Sequence, residues 1–262
     1  MKNLIIGFIV LAITLSCNSS NDDVAISNSS NVDTTPILPT SVFVYSGNSI
    51  SYSLKYSYVG SKIKEIIRDN LKYIYTYNGN NITKEEWSVN GEIKLIKEFS
   101  YLNDRVSSVK VTNKITSPAI VYTKNIEYVN DFHIKYNEYD LEGNLVSQIE
   151  AYFDSKGNQI NIISKLSAGT IKSVSTFDNK NNPFKNIIGY AKIKMIDENA
   201  GGLIGEGMSG SNNLLKRESD SSLTSYVTCT YVYNALNNYP KEQSRKYLNE
   251  PEETIKYYYN KL

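Results

Sequence analysis

The chain has 262 residues, with 28 basic and 27 acidic side chains, one histidine, two cysteines and a net charge of +1. A nucleic-acid-binding protein usually carries a basic excess or a basic stripe; neither occurs here, so we expect no nucleic-acid partner. Two cysteines and one histidine are too few for a structural zinc site, which normally takes four such ligands, and neither a metal nor a cofactor is expected. Tyrosine occurs 22 times, and a composition rich in Tyr, Ile, Val and Thr favours strands.

The first seventeen residues predict export and lipid attachment. Lys2 precedes an uncharged run, Leu4 to Leu15, that ends in Ser16-Cys17. This run is shorter than the about 20 apolar residues of a membrane-spanning helix and has the size of a secretory h-region. It resembles a bacterial lipoprotein signal peptide, which is cleaved before a cysteine that carries diacylglycerol. The resemblance implies a signal peptide at 1–16 and lipid attachment at Cys17.

Residues 17–41 are predicted to be a disordered tether, because Ser, Asn, Asp and Thr dominate and little can be buried. The stretch N-S-S-N-D-D at 18–23 resembles the export signal that sends lipoproteins of the Bacteroidota to the outer leaflet. The resemblance implies a lipid-anchored outer-membrane protein that is surface-exposed rather than periplasmic. A Cys17–Cys229 disulfide is the alternative, but Cys229 shares strand parity with Val227 and Tyr231, which favours a buried thiol.

Residues 42–262 are predicted to form a single β-sheet domain from one repeated sequence pattern. Aromatic residues at i and i+2 precede Asn, Asp or Gly, and β-branched residues follow, as in Y-T-Y-N-G-N-N-I at 75–82. Alternate side chains of a strand share one face, and Asn, Asp and Gly suit tight turns. We therefore expect an all-β antiparallel meander of ten to fourteen strands. The last aromatic residue before each turn stands at position 58, 77, 101, 128, 139, 153, 177, 233 or 259.

Two turns, Y-D-L-E-G-N-L at 139–145 and F-D-S-K-G-N-Q-I at 153–160, resemble the YD repeat of the RHS family. Its consensus is Tyr-Asp, two variable residues, Gly, then a polar and an aliphatic residue. Residues 175–184 keep Phe177-Asp178 but have Asn181 where glycine belongs. With F-D-N-K-N-N-P-F-K-N at 177–186, the chain resembles Bacteroidota lipoproteins that contain such repeats. The resemblance implies hairpins that form an extended, curved sheet, and it implies no catalytic residues.

An aromatic stripe provides the candidate ligand-binding residues, Tyr73, Tyr75, Tyr77 and Trp87. Aromatic faces stack on ligands, and a tyrosine hydroxyl adds a hydrogen bond. The competing interpretation is that the stripe is the packed face of the sheet, and it is favoured because comparable stripes recur in nearly every unit.

A glycine-rich segment at 197–222 contains a literal G-x-G-x-x-G from Gly205 to Gly210. A dinucleotide site requires this motif between a buried strand and a helix, and no helical pattern follows. We expect a long loop between strands. The Asp-containing turns likewise predict turn chemistry rather than calcium, because calcium gathers six to eight oxygen ligands.

No constellation of residues indicates catalysis, and the chain is not expected to be an enzyme. Glu85 and Glu86 are adjacent on a strand and face opposite ways. The lone His133 has no detectable partner, and Ser209 lacks a G-x-S-x-G elbow. A second acidic group looks like a solvated loop: Glu250, Glu252 and Glu253.

The function predicted from the sequence is non-catalytic binding or scaffolding by a lipid-anchored envelope protein. A glycan, a peptide or an envelope protein would be the partner, besides the membrane. The alternative is a structural or accessory subunit of an outer-membrane assembly; a hydrolase is the less favoured class, and it would need a concave pocket that joins His133 or two carboxylates.

Overall fold

The computed structural model describes residues 35–196, 209–220 and 227–261. Within these ranges the chain forms sixteen β-strands and one short helix. No helix in these ranges is long and apolar enough to cross a bilayer. The elements are, in chain order, β1 (Pro39–Ser46), β2 (Ser49–Val59), β3 (Lys62–Arg68), β4 (Leu71–Asn78), β5 (Asn81–Val89), β6 (Glu92–Leu102), β7 (Arg105–Asn113), β8 (Ile120–Asn130), β9 (His133–Tyr139), β10 (Leu145–Phe153), β11 (Gln159–Leu166), β12 (Gly169–Phe177), α1 (Tyr190–Lys194), β13 (Leu214–Ser219), β14 (Val227–Tyr233), β15 (Pro240–Tyr247) and β16 (Glu253–Tyr259).

The strands close into a barrel. Each strand pairs with its neighbours in chain order, and β1 pairs antiparallel with β16, with Val42 opposite Tyr257 and Val44 opposite Ile255. The all-β antiparallel meander is as predicted, but the described ranges hold sixteen strands rather than ten to fourteen, and the prediction of an extended, curved sheet is wrong because the sheet closes. Pairing of β1 with β16 satisfies the backbone groups that an open sheet would leave exposed at both edges.

The wall has a mainly apolar inner face and an outer face that mixes polar side chains with exposed apolar ones such as Ile74, as β4 illustrates. Tyr73, Tyr75 and Tyr77 point inward, and Lys72 and Thr76 point outward. Side chains that alternate along a strand produce these two faces. The inward positions supply most of the core, including the fully buried Val42, Val44, Ile63, Ile66, Ile82, Ile134 and Ile255.

The recurring tyrosine has a structural role in the wall. The hydroxyl of Tyr58 donates to the Pro39 carbonyl at 2.7 Å, and that of Tyr101 to the Ile82 carbonyl at 2.7 Å. Tyr259 donates to the carbonyl of Pro240 at 2.8 Å. In each case the tyrosine lies 19 residues after its acceptor. The hydroxyl of a tyrosine on an even-numbered strand thus hydrogen-bonds to a carbonyl at the start of the preceding strand. Desolvation by burial raises the pKa of all three hydroxyls.

A break in register accompanies the aromatic residue in most of the repeats. An extra residue locally bends a strand and increases its twist, and repetition of this bend around the wall favours closure. The register shifts lie beside Tyr58, Tyr77, Tyr101, Tyr128, Phe153, Phe177 and Tyr233.

The two YD-like turns adopt the same geometry at opposite ends of the barrel. In the β9–β10 turn, the backbone N–H of Asn144 donates to Asp140 Oδ1 at 2.7 Å, and its amide donates to Oδ2 at 3.0 Å. In the β10–β11 turn, Asn158 makes the same two bonds to Asp154, at 2.9 and 2.8 Å. Two such turns on successive connections explain why the aromatic spacing shortens in this region.

The third YD-like unit is a turn with an insertion. Asp178 Oδ1 accepts the backbone N–H of Asn213 at 3.0 Å, and Oδ2 accepts the Asn213 amide at 3.1 Å. The N–H of Asp178 donates to the Asn213 carbonyl at 3.0 Å, as that of Asp154 donates to Asn158 at 2.9 Å. Asn213 therefore replaces the local asparagine, and residues 179–212 are inserted between the two halves of one turn.

The first part of this insertion, residues 179–196, packs its apolar side chains into the barrel, and we call it the plug. Five of its side chains are at most 3% exposed and belong to the same core as inward residues of β1–β10 and β16. A segment can contact so many strands of a closed wall only from within. The five side chains are Phe184, Ile187, Tyr190, Ile193 and Ile196.

Polar contacts fix the plug at one end of the barrel. The N–H of Ile188 donates to the Ser61 carbonyl at 3.0 Å in the β2–β3 turn. Lys192 contacts Asn81 at 2.9 Å and Asp104 at 2.6 Å, at the β4–β5 and β6–β7 turns. These turns all follow even-numbered strands, so they share one end of the wall.

Two boundaries differ from the ranges drawn from the sequence. Strand β1 begins at Pro39, three residues before the predicted start of the domain, and β13 lies within the range 197–222 that was assigned to a loop. The predicted signal peptide, Cys17 and most of the tether lie outside the described residues.

Candidate ligand groove on the outer wall

The aromatic stripe lies inside the barrel, and two of its members contact the plug. Tyr75 is buried, with its ring centroid 6.3 Å from that of Tyr190. The Tyr77 hydroxyl donates to the Ile188 carbonyl and accepts the N–H of Ile63, both at 3.1 Å. Tyr75 and Tyr77 therefore act in packing.

Tyr73 and Trp87 form a stacked pair on the inner face, with centroids 6.3 Å apart and rings 13° from parallel. The indole Nε1 of Trp87 is buried and makes no hydrogen bond. Beside the pair, Glu85 lies 3.7 Å from Lys97 inside the barrel, whereas Glu86 pairs with Lys84 outside at 3.0 Å. The two adjacent glutamates thus face opposite ways.

A second group of polar side chains lines a groove on the outside of β8–β11. The strand register places Asn125, Asn137, Gln148 and Lys165 in one row across four strands. A parallel row contains Glu127, Lys135 and Glu150. Together the two rows line a groove of about 430 Å³, which is within the size range of small-molecule sites.

The three amides of this groove are available to a ligand. Asn125 and Gln148 are exposed and Asn137 is half-buried. None of their side chains hydrogen-bonds to any part of the chain that the structure describes. Each amide offers two N–H donors and one carbonyl acceptor, so the row presents an unused set of donors and acceptors.

The carboxylate of Glu150 is already engaged. Lys165 Nζ lies 2.6 Å from Oε1 and Lys135 Nζ lies 4.0 Å from Oε2, while the Tyr152 hydroxyl donates to Oε2 at 3.2 Å. The hydrogen bond from Lys165 is the main cause that lowers the pKa of Glu150. Glu150 therefore acts as an ionised anchor for the lysines.

His133 lies beside the groove with two neighbours that the sequence did not reveal. Its ring stacks on Tyr152 at 4.1 Å, and Nε2 lies 3.3 Å from Oε2 of Glu150 without the geometry of a hydrogen bond. No serine or cysteine is among the groove residues.

The remaining predicted features are structural in the described ranges. Cys229 is 5% exposed, and its Sγ accepts the Gln243 amide at 3.2 Å, which confirms a core thiol. Residues 205–208 lie outside the described residues; Gly210 packs on Asn158, and the chain continues into β13 rather than a helix. Glu253 pairs with Arg245 at 2.7 Å. No group of three or more potential ligands in these ranges could hold a metal.

Sequence reasoning missed Asn125, Asn137 and Gln148. All three occupy outward positions of their strands, which alternation alone predicts. Their alignment across β8, β9 and β10 depends on register, because a slip of one residue would move each amide to the other face. Strand pairing was the information needed to find them.

No family model and no curated protein matches the chain, so the resemblance to YD repeats and to lipoproteins stays a prediction. Solved structures match most of the chain. A porin-like protein from Bacteroides uniformis is 10% identical with a TM-score of 0.53, over 85% of this chain and 98% of that chain. A porin-like protein from Bacteroides vulgatus is 14% identical with a TM-score of 0.50, over 86% of this chain and 100% of that chain. At these identities the chain shares their fold.

Proposed function

We propose that this chain is a non-catalytic binding protein of the bacterial outer membrane, held by a lipid on Cys17, with a barrel that stands in water rather than in the bilayer. The porin-like Bacteroides structures are consistent with an outer-membrane location. The observation that carries the proposal is the charge on the outer wall.

A membrane-spanning barrel has an apolar outer band about 25 Å tall and a polar interior. Here the inward side chains are mainly apolar, with Glu85 and Lys97 among the exceptions, and the outward ones include both charged and apolar residues. The outer face of this barrel carries lysine–glutamate pairs on the strands, and a lysine at the midplane of a lipid-facing wall would cost about 2–4 kcal/mol. The outer pairs are Lys72–Glu65, Lys84–Glu86, Lys110–Glu98, Lys165–Glu150 and Lys216–Glu218.

The filled interior of the barrel favours a binding or scaffolding role rather than a channel function. The plug occupies the interior with aliphatic and aromatic side chains such as Phe184 and Ile193, and a water-filled channel would need that space. An apolar interior also gives a water-facing barrel its core.

The chemistry of the groove favours binding over catalysis. A general base works best with a pKa near the operating pH, whereas the pKa of Glu150 is lowered by Lys165. The carboxylate beside His133 is thus committed to an ion pair, and no serine or cysteine is among the residues that line the groove.

The wall is tested in the full chain in isolated outer membranes. Lys110 lies in the middle of β7 with its side chain 55% exposed. We expect Lys110→Cys to react with a membrane-impermeant maleimide without detergent, while the buried Cys229 of the unmodified chain reacts little. Reaction that appears only after detergent solubilisation would place this wall in lipid and end the proposal.

The anchor is tested separately by labelling cells with a fatty-acid analogue. The unmodified chain should take up the label, Cys17→Ala should not, and Cys229→Ala should label normally as the matched control. Absence of label from the unmodified chain would remove the lipid anchor from the proposal.

A further inference from the structure

We propose that the outer-wall groove of β8–β11 binds a neutral, polyhydroxylated ligand, an uncharged oligosaccharide. This inference rests on the proposed binding role and adds the class of ligand. Its starting point is the row formed by Asn125, Asn137 and Gln148, whose amides have no hydrogen bond within the described chain.

The spacing of the amides suits a chain of sugar rings. Neighbouring strands lie about 4.8 Å apart, so Asn125, Asn137 and Gln148 present three amides at intervals of roughly one hexose unit in an extended glycan. A sugar hydroxyl is both donor and acceptor, and each amide also provides both functions. A glycan that crosses the strands would meet one amide per ring.

The charges of the groove oppose a ligand with a net charge. Glu127 and Glu150 are balanced by Lys135 and Lys165, and Glu150 is held at 2.6 Å by Lys165. The lysines would attract an anionic ligand and the glutamates would repel it; for a cationic ligand the glutamates attract and the lysines repel. The balance leaves hydrogen bonding to uncharged groups as the main source of affinity.

The closed wall argues against recognition of an extended peptide by strand addition. A peptide that adds to a sheet needs an unpaired edge, and β8, β9, β10 and β11 each pair on both sides. The ligand must therefore be read by side chains that project from the wall, which is how the amide row is arranged.

The test uses the purified full chain in detergent micelles and short neutral oligosaccharides of β-linked glucose, of N-acetylglucosamine and of mannose, with calorimetry as the readout. At least one should bind. Asn137→Leu and Gln148→Leu should each weaken that binding roughly five- to tenfold, because each removes at least one net hydrogen bond. Asn137→Gln, which keeps the amide, should retain most of the affinity.

Thr230→Leu is the matched control, because Thr230 is an exposed outward residue of β14, away from the groove. It should leave binding unchanged, and thermal unfolding checks that every variant is folded. Absence of binding by all three sugars at millimolar concentration, or binding that Asn137→Leu and Gln148→Leu do not alter, would overturn the inference. So would preferential binding of anionic polygalacturonate. None of these results bears on the maleimide and fatty-acid experiments, so failure of the inference can be told apart from failure of the proposed location and anchor.

Discussion

The turn at Asp154 and the turn at Asp178 make the same hydrogen bonds but differ in what they enclose. Asp154 bonds to an asparagine four residues later, and Asp178 bonds to one 35 residues later. The strands leave both turns alike: Phe153 pairs with Gln159 and Phe177 pairs with Leu214, each next to a register shift. A short turn motif can therefore accept a long insertion without a change in the meander.

The energetic reason lies in how slowly the cost of a loop grows with its length. Each doubling of a flexible loop adds only about 0.6 kcal/mol of closure entropy. Burial of a large apolar side chain contributes about 1.5–3 kcal/mol, and the plug buries several, among them Phe184, Tyr190 and Ile193. We infer that the core contacts of the plug contribute more to the stability of the insertion than the hydrogen bonds between Asp178 and Asn213 that close the turn.

The largest expected effect therefore comes from the core of the plug. Ile193 is fully buried, and Ile193→Ala should lower the free energy of unfolding by about 3–4 kcal/mol, through lost burial and the cavity left behind. Urea unfolding followed by the fluorescence of Trp87, the single tryptophan, measures it. Leu236→Ala is the control, because Leu236 is 94% exposed and its loss should be within about 0.5 kcal/mol.

An intermediate loss of stability is expected when the hydrogen bonds that Asp178 accepts at the interrupted turn are removed. Asp178→Ala leaves the donors of Asn213 and the Tyr233 hydroxyl without their acceptor, at a cost of about 2–3 kcal/mol. Asp154→Ala removes the equivalent acceptor from a local turn, where Asn158 keeps its bond to Asn212, and should cost about 1–2 kcal/mol. A larger loss at Asp154 in the same urea titrations would contradict the view that the interrupted turn depends more on its aspartate.

The sequence indicated one half of the interrupted turn and concealed the other. Phe177-Asp178 was recognisable, and Asn181 in place of glycine marked a departure from the motif. The second half, a polar residue followed by an aliphatic one, stands at Asn213-Leu214. Residues 179–212 separate the two halves, so no local pattern connects them. Only a search for a polar–aliphatic pair that lacks its own aromatic–Asp pair could have joined them.

Closure of the barrel and the groove on β8–β11 could not be predicted from the sequence for a related reason. Each hairpin is encoded by its own aromatic pair and turn, so the all-β meander could be predicted. Pairing of β1 with β16 depends on the sum of small bends over sixteen strands. The amide row of Asn125, Asn137 and Gln148 likewise depends on the register of three strands. Local patterns determine the strands, and cumulative geometry determines which side chains become neighbours.

The smallest expected difference isolates the contact between the plug and the wall. Gly189 in the plug and Gly157 in the local turn have nearly the same φ, 75° and 76°. Alanine at either position pays the left-handed cost of about 1–2 kcal/mol. At Gly157 an added Cβ would meet its nearest atom at 3.6 Å, an ordinary contact, whereas at Gly189 it would lie 2.7 Å from the Asn80 carbonyl oxygen.

Because the backbone penalty is common to both variants, the difference between them reports the close approach of the plug to the β4–β5 turn. We expect Gly189→Ala to lower the free energy of unfolding by about 1 kcal/mol more than Gly157→Ala, the usual minimum for overpacking at a site that cannot relax freely. Equal losses in parallel urea titrations would mean that the plug shifts away from Asn80 at no cost, and the close approach to the β4–β5 turn would then contribute nothing to the stability of the plug.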